Sequence, residues 1–387
     1  MENIAVIFGG KSAEHDVSII TALASIIKPL ELLKKYKVVP IYITKEGDWY
    51  SDPKLKDISY YSSGEIRNLL NKLRPISLEF NNGLKLVKNP KLAGRKQIIN
   101  IDLVFPSMHG TFGEDGSLMG LLEMANVPYV GCGLNASVLA MDKVLSKEVA
   151  ESLDIPVVKY LAVTKSQIES NPSQVLKDVI KQNLKYPLFV KPAHLGSSIG
   201  ITRVVDPKDL LNALEVALHY DDLGLVEEEV QNLFEVTLPI IGNHKLIPAL
   251  LEHPLKNDGD FFDFDTKYLQ GGKKGQKGSK GSQGYSQIPA KLEPSLYSKA
   301  EQLGLRVYRE FKLSGIARVD MLIDLKTKAV YFNEINPLPG GLYAHNFNQA
   351  KISNVELVDN LVLFAKERFQ ERKSLITSFN TNYLRQF

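Results

Sequence analysis

Ile4-Ala-Val-Ile-Phe8 runs straight into Gly9-Gly-Lys-Ser-Ala-Glu-His-Asp16 and then the apolar stretch Val17–Ile27, which reads as strand, turn and helix in succession. Val38-Val-Pro-Ile-Tyr-Ile43 supplies a second strand and Ile101-Asp-Leu-Val-Phe105 a third. Strands alternating with helices predict an α/β fold with a parallel sheet covered on both faces. Ligands on such sheets bind beyond the C-terminal ends of the strands, where Gly9–Asp16 and Pro106–Gly116 fall.

Further along, helices are expected over 135–153, 172–183 and 207–219, and strands over 157–163, 187–192 and 199–204. Another strand, Leu225–Glu229, opens the next unit. The chain of 387 residues accommodates about two or three domains. The expected division is 1–131, 132–224 and 225–371, with a polar tail over 372–387. The segment Gly271–Gly284 holds six glycines, four lysines and no acid, a composition that cannot pack a core.

Hydrophobic content of 44% and charged content of 24% are ordinary for a globular protein. A net charge of +3 is too balanced to argue for nucleic acid. The single cysteine, Cys132, excludes an intramolecular disulfide and fits a reducing compartment. Ile4–Phe8 is too short for a signal sequence, and no apolar run approaches the roughly 18 residues that span a bilayer. A soluble, cytoplasmic chain without membrane insertion is the expectation.

Near the C-terminus, Gly315-Ile-Ala-Arg-Val-Asp-Met-Leu-Ile323 and Ala329-Val-Tyr-Phe-Asn-Glu-Ile-Asn336 flank a short turn and read as hairpin neighbours. Period-two alternation places Arg318 and Asp320 on one face of the first strand, and Glu334 and Asn336 on one face of the second. Two carboxylates, an amide oxygen and an arginine suit Mg²⁺ holding nucleotide phosphates. The other reading is a solvated strand edge.

Two phosphate-loop candidates fail. Gly10-Lys11-Ser12 would need a glycine at position 5, which is Ala5, and Gly272-Lys273 is followed by Lys274. Lys191-Pro-Ala-His-Leu-Gly-Ser-Ser198 is a better anion site: a lysine at a strand end followed by a small-residue turn. An ordinary glycine–serine hairpin would look the same. Lys143, after Met141-Asp142, is a second phosphate candidate or a solvated lysine. His109-Gly-Thr-Phe-Gly-Glu-Asp-Gly116 follows a buried strand and precedes a helix over Ser117–Ala125, which marks a loop placed for binding. Asp115 alone could cap that helix.

Together these motifs resemble the D-alanine–D-alanine ligase family of the ATP-grasp superfamily, over about residues 3–365. The resemblance rests on Gly9-Gly10-x-Ser12-x-Glu14-His15-x-Val17-Ser18, His109-Gly-x-x-Gly-Glu-Asp-Gly116, Lys191-Pro-x-x-x-Gly-Ser-Ser198, Ala317-Arg-Val-Asp320 and Asn333-Glu-Ile-Asn336, in that order. It implies a three-domain ATP-grasp architecture with an N-terminal Rossmann-like domain. It also implies the joining of two D-alanines, for peptidoglycan precursor synthesis, through an acyl phosphate formed from ATP. Asp320, Glu334 and Asn336 would hold two Mg²⁺, with Mn²⁺ as a substitute, and Arg318 would stabilise the transferring phosphoryl. Lys143, Lys191, Ser197, Ser198 and Lys267 would bind ATP, with Glu228 and Glu229 at the adenine and Glu235 at the ribose. Glu14 would pair with the first D-alanine's ammonium, His109 and Gly340 would line the substrate site, and Tyr268, Ser197 and Glu14 would form a hydrogen-bonded trio. A homodimer is implied as well.

Three departures from the family pattern stand out. The segment 271–284 lengthens the loop over the site, and its lysines either reach ATP or are a solvated insertion. Met119 stands where a glutamine is common. Pro337-Leu-Pro-Gly-Gly-Leu-Tyr-Ala-His-Asn-Phe347 lacks the serine–leucine pair that meets the second substrate, leaving Asn346 and Phe347 as its expected replacements. That change keeps D-serine or D-lactate open as acceptors. A nucleotide-binding homologue without turnover is the alternative of another class.

Overall fold

The computed structural model describes residues 1–80, 83–90, 95–255, 286–376 and 381–386. Lys267, Tyr268 and the segment 271–284 lie outside the described residues. The first sheet has the order Trp49–Tyr50, Tyr36–Ile43, Glu2–Gly9, Leu103–Pro106, with Glu2–Gly9 parallel to both neighbours. Ile4 to Phe8 are completely enclosed, as a strand covered on both faces requires. One face packs on Ile19, Leu23 and Ile26, the other on Leu118, Met119 and Leu122. Gly9 ends the strand at φ +87°, and a Cβ there would lie 2.1 Å from the Ile43 carbonyl oxygen, so only glycine lets the chain turn off the sheet.

The helix expected over Val17–Ile27 is longer and irregular: α-helical at His15–Ile20, π-helical at Thr21–Ile27, α-helical again at Lys28–Leu33. The strand expected over Ile101–Phe105 divides at Asp102, whose carboxylate accepts the Asn3 N–H at 2.8 Å. Leu103–Pro106 joins the parallel sheet, while Gln97–Ile101 pairs with Leu84–Lys88 in an antiparallel sheet that also contains Ile76–Glu79.

The second sheet is antiparallel, in the order Thr202–Val204, Leu188–Pro192, Leu223–Glu228, Tyr160–Thr164. The boundary expected at 225 therefore cuts a strand that belongs wholly to this sheet. The helix expected over 135–153 is two helices, Leu134–Met141 and Lys143–Ser152, because Asp142 turns extended and caps the second through the Val144 and Leu145 N–H groups.

The third sheet runs Ile247–Pro248, Leu233–Gly242, Gly315–Asp324, Ala329–Asn336. Its core recruits Cys132, Ala136, Ala140, Ala150 and Ile155, so the segment expected to open the central unit packs here instead. Similarly, the helix Asn354–Lys373, expected within the C-terminal unit, packs Leu357, Val358, Leu361 and Val362 into the core of the first sheet. Among the described residues no helix is long and apolar enough to cross a membrane.

Candidate active site

The hairpin forms as its alternation requires. Arg318 faces Asn336 and Asp320 faces Glu334 across the ladder, with a register shift between Asp320 and Met321. Arg318 donates from Nε to Asp320 Oδ1 at 2.6 Å and from Nη2 to Oδ2 at 2.5 Å. Asn336 Nδ2 donates to Asp320 Oδ2 at 3.1 Å. Burial pulls the Arg318 guanidinium down, but the Asp320 carboxylate outweighs it and holds the arginine well above its ordinary value. The Tyr343 ring covers the guanidinium at 5.0 Å. Tyr343 reaches it through backbone held left-handed over Gly341, Leu342 and Tyr343 (φ 61°, 53° and 49°), a costly conformation for the two non-glycine residues. Two carboxylates and an amide at paired positions on adjacent strands are the hard oxygen set that suits Mg²⁺.

Lysines approach this set from the neighbouring elements. Lys143 Nζ is 3.6 Å from Glu334 Oε2 and donates to the Leu195 carbonyl at 2.6 Å, while its backbone N–H donates to Ala193 O at 3.1 Å. Lys191 pairs with Glu227. The turn after Lys191 places Ser197 and Ser198 at φ 52° and 59°, and Ser197 donates its hydroxyl to Glu14, just before the helix that follows the first strand. His194 pins the same turn: its backbone N–H donates to Asp221 Oδ2 at 2.8 Å and its ring Nδ1 meets Asp221 Oδ1 at 2.9 Å. Its Nε2 lies 3.4 Å from Asp142, and the two carboxylates push the imidazole up to about 10.

The loop 109–116 closes the third side. His109 is buried with Nε2 3.0 Å from Thr21 Oγ1, which also accepts the Gly341 N–H at 2.9 Å. Glu114 accepts the Gly110 N–H at 2.7 Å and the Leu338 N–H at 3.2 Å, tying this loop to the segment after the Asn336 strand. Burial first, then the nearby Glu14 carboxylate, pushes Glu114 up to about 8. Gly110 has φ +69°, and a Cβ there would meet Ser12 Oγ at 2.8 Å and Glu14 Oε2 at 3.0 Å. Asp115 closes its own turn by accepting the Phe112 and Ser117 N–H groups.

Two expected residues, Asn346 and Phe347, are turned into the interior. Asn346 is fully buried: its Nδ2 donates to Leu250 O and Glu252 Oε2, each at 2.9 Å, and its Oδ1 accepts the Leu250 N–H. Both amide hydrogens are spent inside the protein, so Asn346 has no donor left for a substrate carboxylate. Phe347 is core. Glu228 accepts the Lys185 N–H at 2.9 Å, Glu229 pairs with Arg203, and Glu235 lies on the strand beside Leu322. Gly340 begins the short turn that leads to Tyr343. Sequence reading missed Thr21, Glu114, Lys147, Glu227 and Tyr343 as members of this region. Glu114, Tyr343 and Glu227 lay within quoted stretches but were assigned no role, and Lys147 is one helical turn from Lys143; Thr21 carries no local signal.

Comparison with known proteins points to one family. The family described as D-ala D-ala ligase N-terminus matches residues 3–132, and that described as D-ala D-ala ligase C-terminus matches residues 149–363. A D-alanine–D-alanine ligase of Chloroherpeton thalassium is 35% identical over 377 residues, 96% of this chain and 98% of that protein. One of Thermosipho africanus is 34% identical over 99% of this chain and 98% of its own length. Among solved structures, the D-alanine–D-alanine ligase from Coxiella burnetii has a TM-score of 0.77 and 26% identity, covering 96% of both chains. The VanG D-Ala:D-Ser ligase from Enterococcus faecalis has a TM-score of 0.75 and 29% identity, over 94% of this chain and 99% of that one. The chain belongs to the D-alanine–D-alanine ligase family.

Proposed function

We propose that this chain joins two D-alanine molecules at the expense of ATP, releasing ADP and phosphate, as a step in making peptidoglycan precursor in the cytoplasm. The observation that carries the reading is the convergence of Arg318, Asp320, Glu334 and Asn336 with Lys143 within one 3.6 Å contact of Glu334. That arrangement brings cationic and oxygen-ligand groups to one place, as phosphoryl transfer requires.

In the first step a carboxylate oxygen of one D-alanine attacks the γ-phosphorus of ATP and ADP leaves. In the second, the amine of the other D-alanine attacks the acyl carbon, phosphate departs with the bonding pair, and the nitrogen loses a proton. Arg318 would face the charge on the transferring group, held in orientation by Asp320 and Tyr343. Lys143 and Lys191 would steady the phosphates, with Ser197, Ser198 and Lys267 beside them and Glu228, Glu229 and Glu235 toward the nucleoside. Glu14 would orient the first D-alanine's ammonium, with His109 and Gly340 bounding the substrate space. Tyr268 would join Glu14 and Ser197 when the loop closes and water is excluded. Asp320, Glu334 and Asn336 would hold Mg²⁺, two ions with Mn²⁺ as a substitute, which supplies charge neutralisation on the phosphates. The family resemblance supports a homodimer, which sedimentation would check.

A second reading has its own observation. Asn346 is withdrawn into the core, and the chain is similar to a D-Ala:D-Ser ligase as well as to D-alanine ligases. D-Serine or D-lactate is the acceptor in that reading. ADP release with D-alanine alone, beside D-alanine plus D-serine or D-lactate, with product masses measured, separates the two. Dialanine from D-alanine alone supports the first; turnover only with a mixed pair supports the second. ATP binding without ADP release from any pair would overturn both.

A further inference from the structure

Beneath Lys191 lies a cluster of three buried charges. Lys147 is 0% exposed and Glu227 3%. Lys147 sits on the helix Lys143–Ser152, one turn beyond Lys143 and on the same side. Glu227 and Lys191 belong to neighbouring antiparallel strands. Glu227 Oε1 receives Lys191 in a close ion pair, and Glu227 Oε2 stands 3.2 Å from Lys147 Nζ, without hydrogen-bond alignment. The Tyr160 ring lies 5.7 Å from the same ammonium.

Two lysines thus share one carboxylate: burial pulls the Lys147 ammonium down while Glu227 supports it, and Lys191 also feels the carboxylates of Glu334 and Glu235. Withdrawing an ion from water costs several kcal/mol, so a second fully buried lysine is a burden that a neutral Lys191–Glu227 pair would avoid. Burial by itself would push Glu227 up, but the ammoniums, Lys147 ahead of Lys191, hold it down to about 2. Glu227 is therefore an anion in contact with both. Of the two lysine side chains, only Lys191 keeps any exposure, at 10% against 0% for Lys147. Positive charge from the cluster can reach a ligand through Lys191 alone.

We propose that Lys147 is a positioning residue for the nucleotide, sharing Glu227 so that Lys191 keeps positive charge to offer a phosphate. This rests on the reading of Lys191 as a phosphate lysine. Lys147 touches no ligand itself. Without its charge, the whole of the Glu227 carboxylate falls on Lys191, and the pair becomes neutral toward an incoming anion.

The test measures the affinity of the full chain for a non-hydrolysable ATP analogue with Mg²⁺, together with KM for ATP, KM for D-alanine, and kcat. Lys147→Met should weaken analogue binding and raise the ATP KM by about tenfold, with the D-alanine KM unchanged; Lys147→Arg, which restores the charge, should recover most of it. Glu227→Gln should leave binding equal to or tighter than that of the parent chain. In the Glu227→Gln background, Lys147→Met should then lose most of its effect, a coupling that a packing defect would not produce. Lys147→Gln makes the same comparison if the methionine variant does not fold. Unchanged analogue affinity in a folded Lys147→Met chain would overturn the proposal, as would additive effects in the double variant or weaker binding in Glu227→Gln. Lys191→Ala separates the two levels. If it leaves affinity intact, the phosphate-lysine reading fails; if it weakens binding while Lys147→Met does not, only the sharing of Glu227 fails.

Discussion

Glu14 and Ser197 are 183 residues apart in sequence, yet the Ser197 hydroxyl donates directly to the Glu14 carboxylate. The contact joins the turn after Lys191 to the loop after the first strand, and the turn reaches it through a serine in the left-handed region. Such backbone persists only where the surroundings hold it. Ser197→Ala should lower kcat/KM for D-alanine by about 10²-fold, the range lost when a positioned group is released, while leaving the melting temperature nearly unchanged. Steady-state kinetics beside a thermal melt would check this, and a fully active folded variant would remove the contact from the mechanism.

Glu114 makes a prediction about pH. Its folded-state pKa is raised to about 8 by burial and by Glu14, above the ordinary carboxylate value an unfolded chain would show. The folded chain therefore binds the extra proton, and the stability from this group is fully present below the unfolded pKa and lost as pH rises through the folded one. Glu114→Gln stays neutral throughout. The melting temperature of the variant minus that of the parent chain should become more positive between about pH 5 and pH 8, then level. A difference that is flat across that window would show that Glu114 is not protonated in the fold.

Asp320, the proposed centre of the cation set, also receives Arg318 and Asn336. Removal of divalent ions with EDTA should abolish ADP release, and excess Mg²⁺ should restore it. Asp320→Asn should raise the Mg²⁺ concentration for half-maximal activity by about 10- to 100-fold, since it removes one carboxylate from the ligand set. An unaltered Mg²⁺ requirement in a folded variant would move the metal elsewhere.

Asn346 is a structural amide in this fold. Asn346→Ala strips partners from the Leu250 backbone and from Glu252, and leaving buried polar groups unmet costs about 1–3 kcal/mol each. The variant should melt at a lower temperature while keeping its D-alanine KM within about twofold, because the expected loss is in packing and not in ligand contact. A tenfold rise in that KM with unchanged stability would return Asn346 to the substrate site.

Much of this protein was determined by the sequence read locally. The unbroken apolar run Ile4–Phe8 could only be a strand buried on both faces, and the alternation of Arg318, Asp320, Glu334 and Asn336 put one side-chain set on one face of one hairpin. Period two and short turns are local properties, and they survive any tertiary arrangement. What only the tertiary structure decided lies at long separation. Leu223–Glu228 belongs to the second sheet and Asn354–Lys373 to the first core because burial is won where surfaces meet, whatever their order in the chain. The same holds for the Glu114–Leu338 bond, the Tyr343 cover on Arg318 and the enclosed lysine beside Glu227. Each sets the charge or orientation of a group by desolvation and by partners drawn from distant segments. Those forces depend on distance in space, to which neighbours in sequence give no clue.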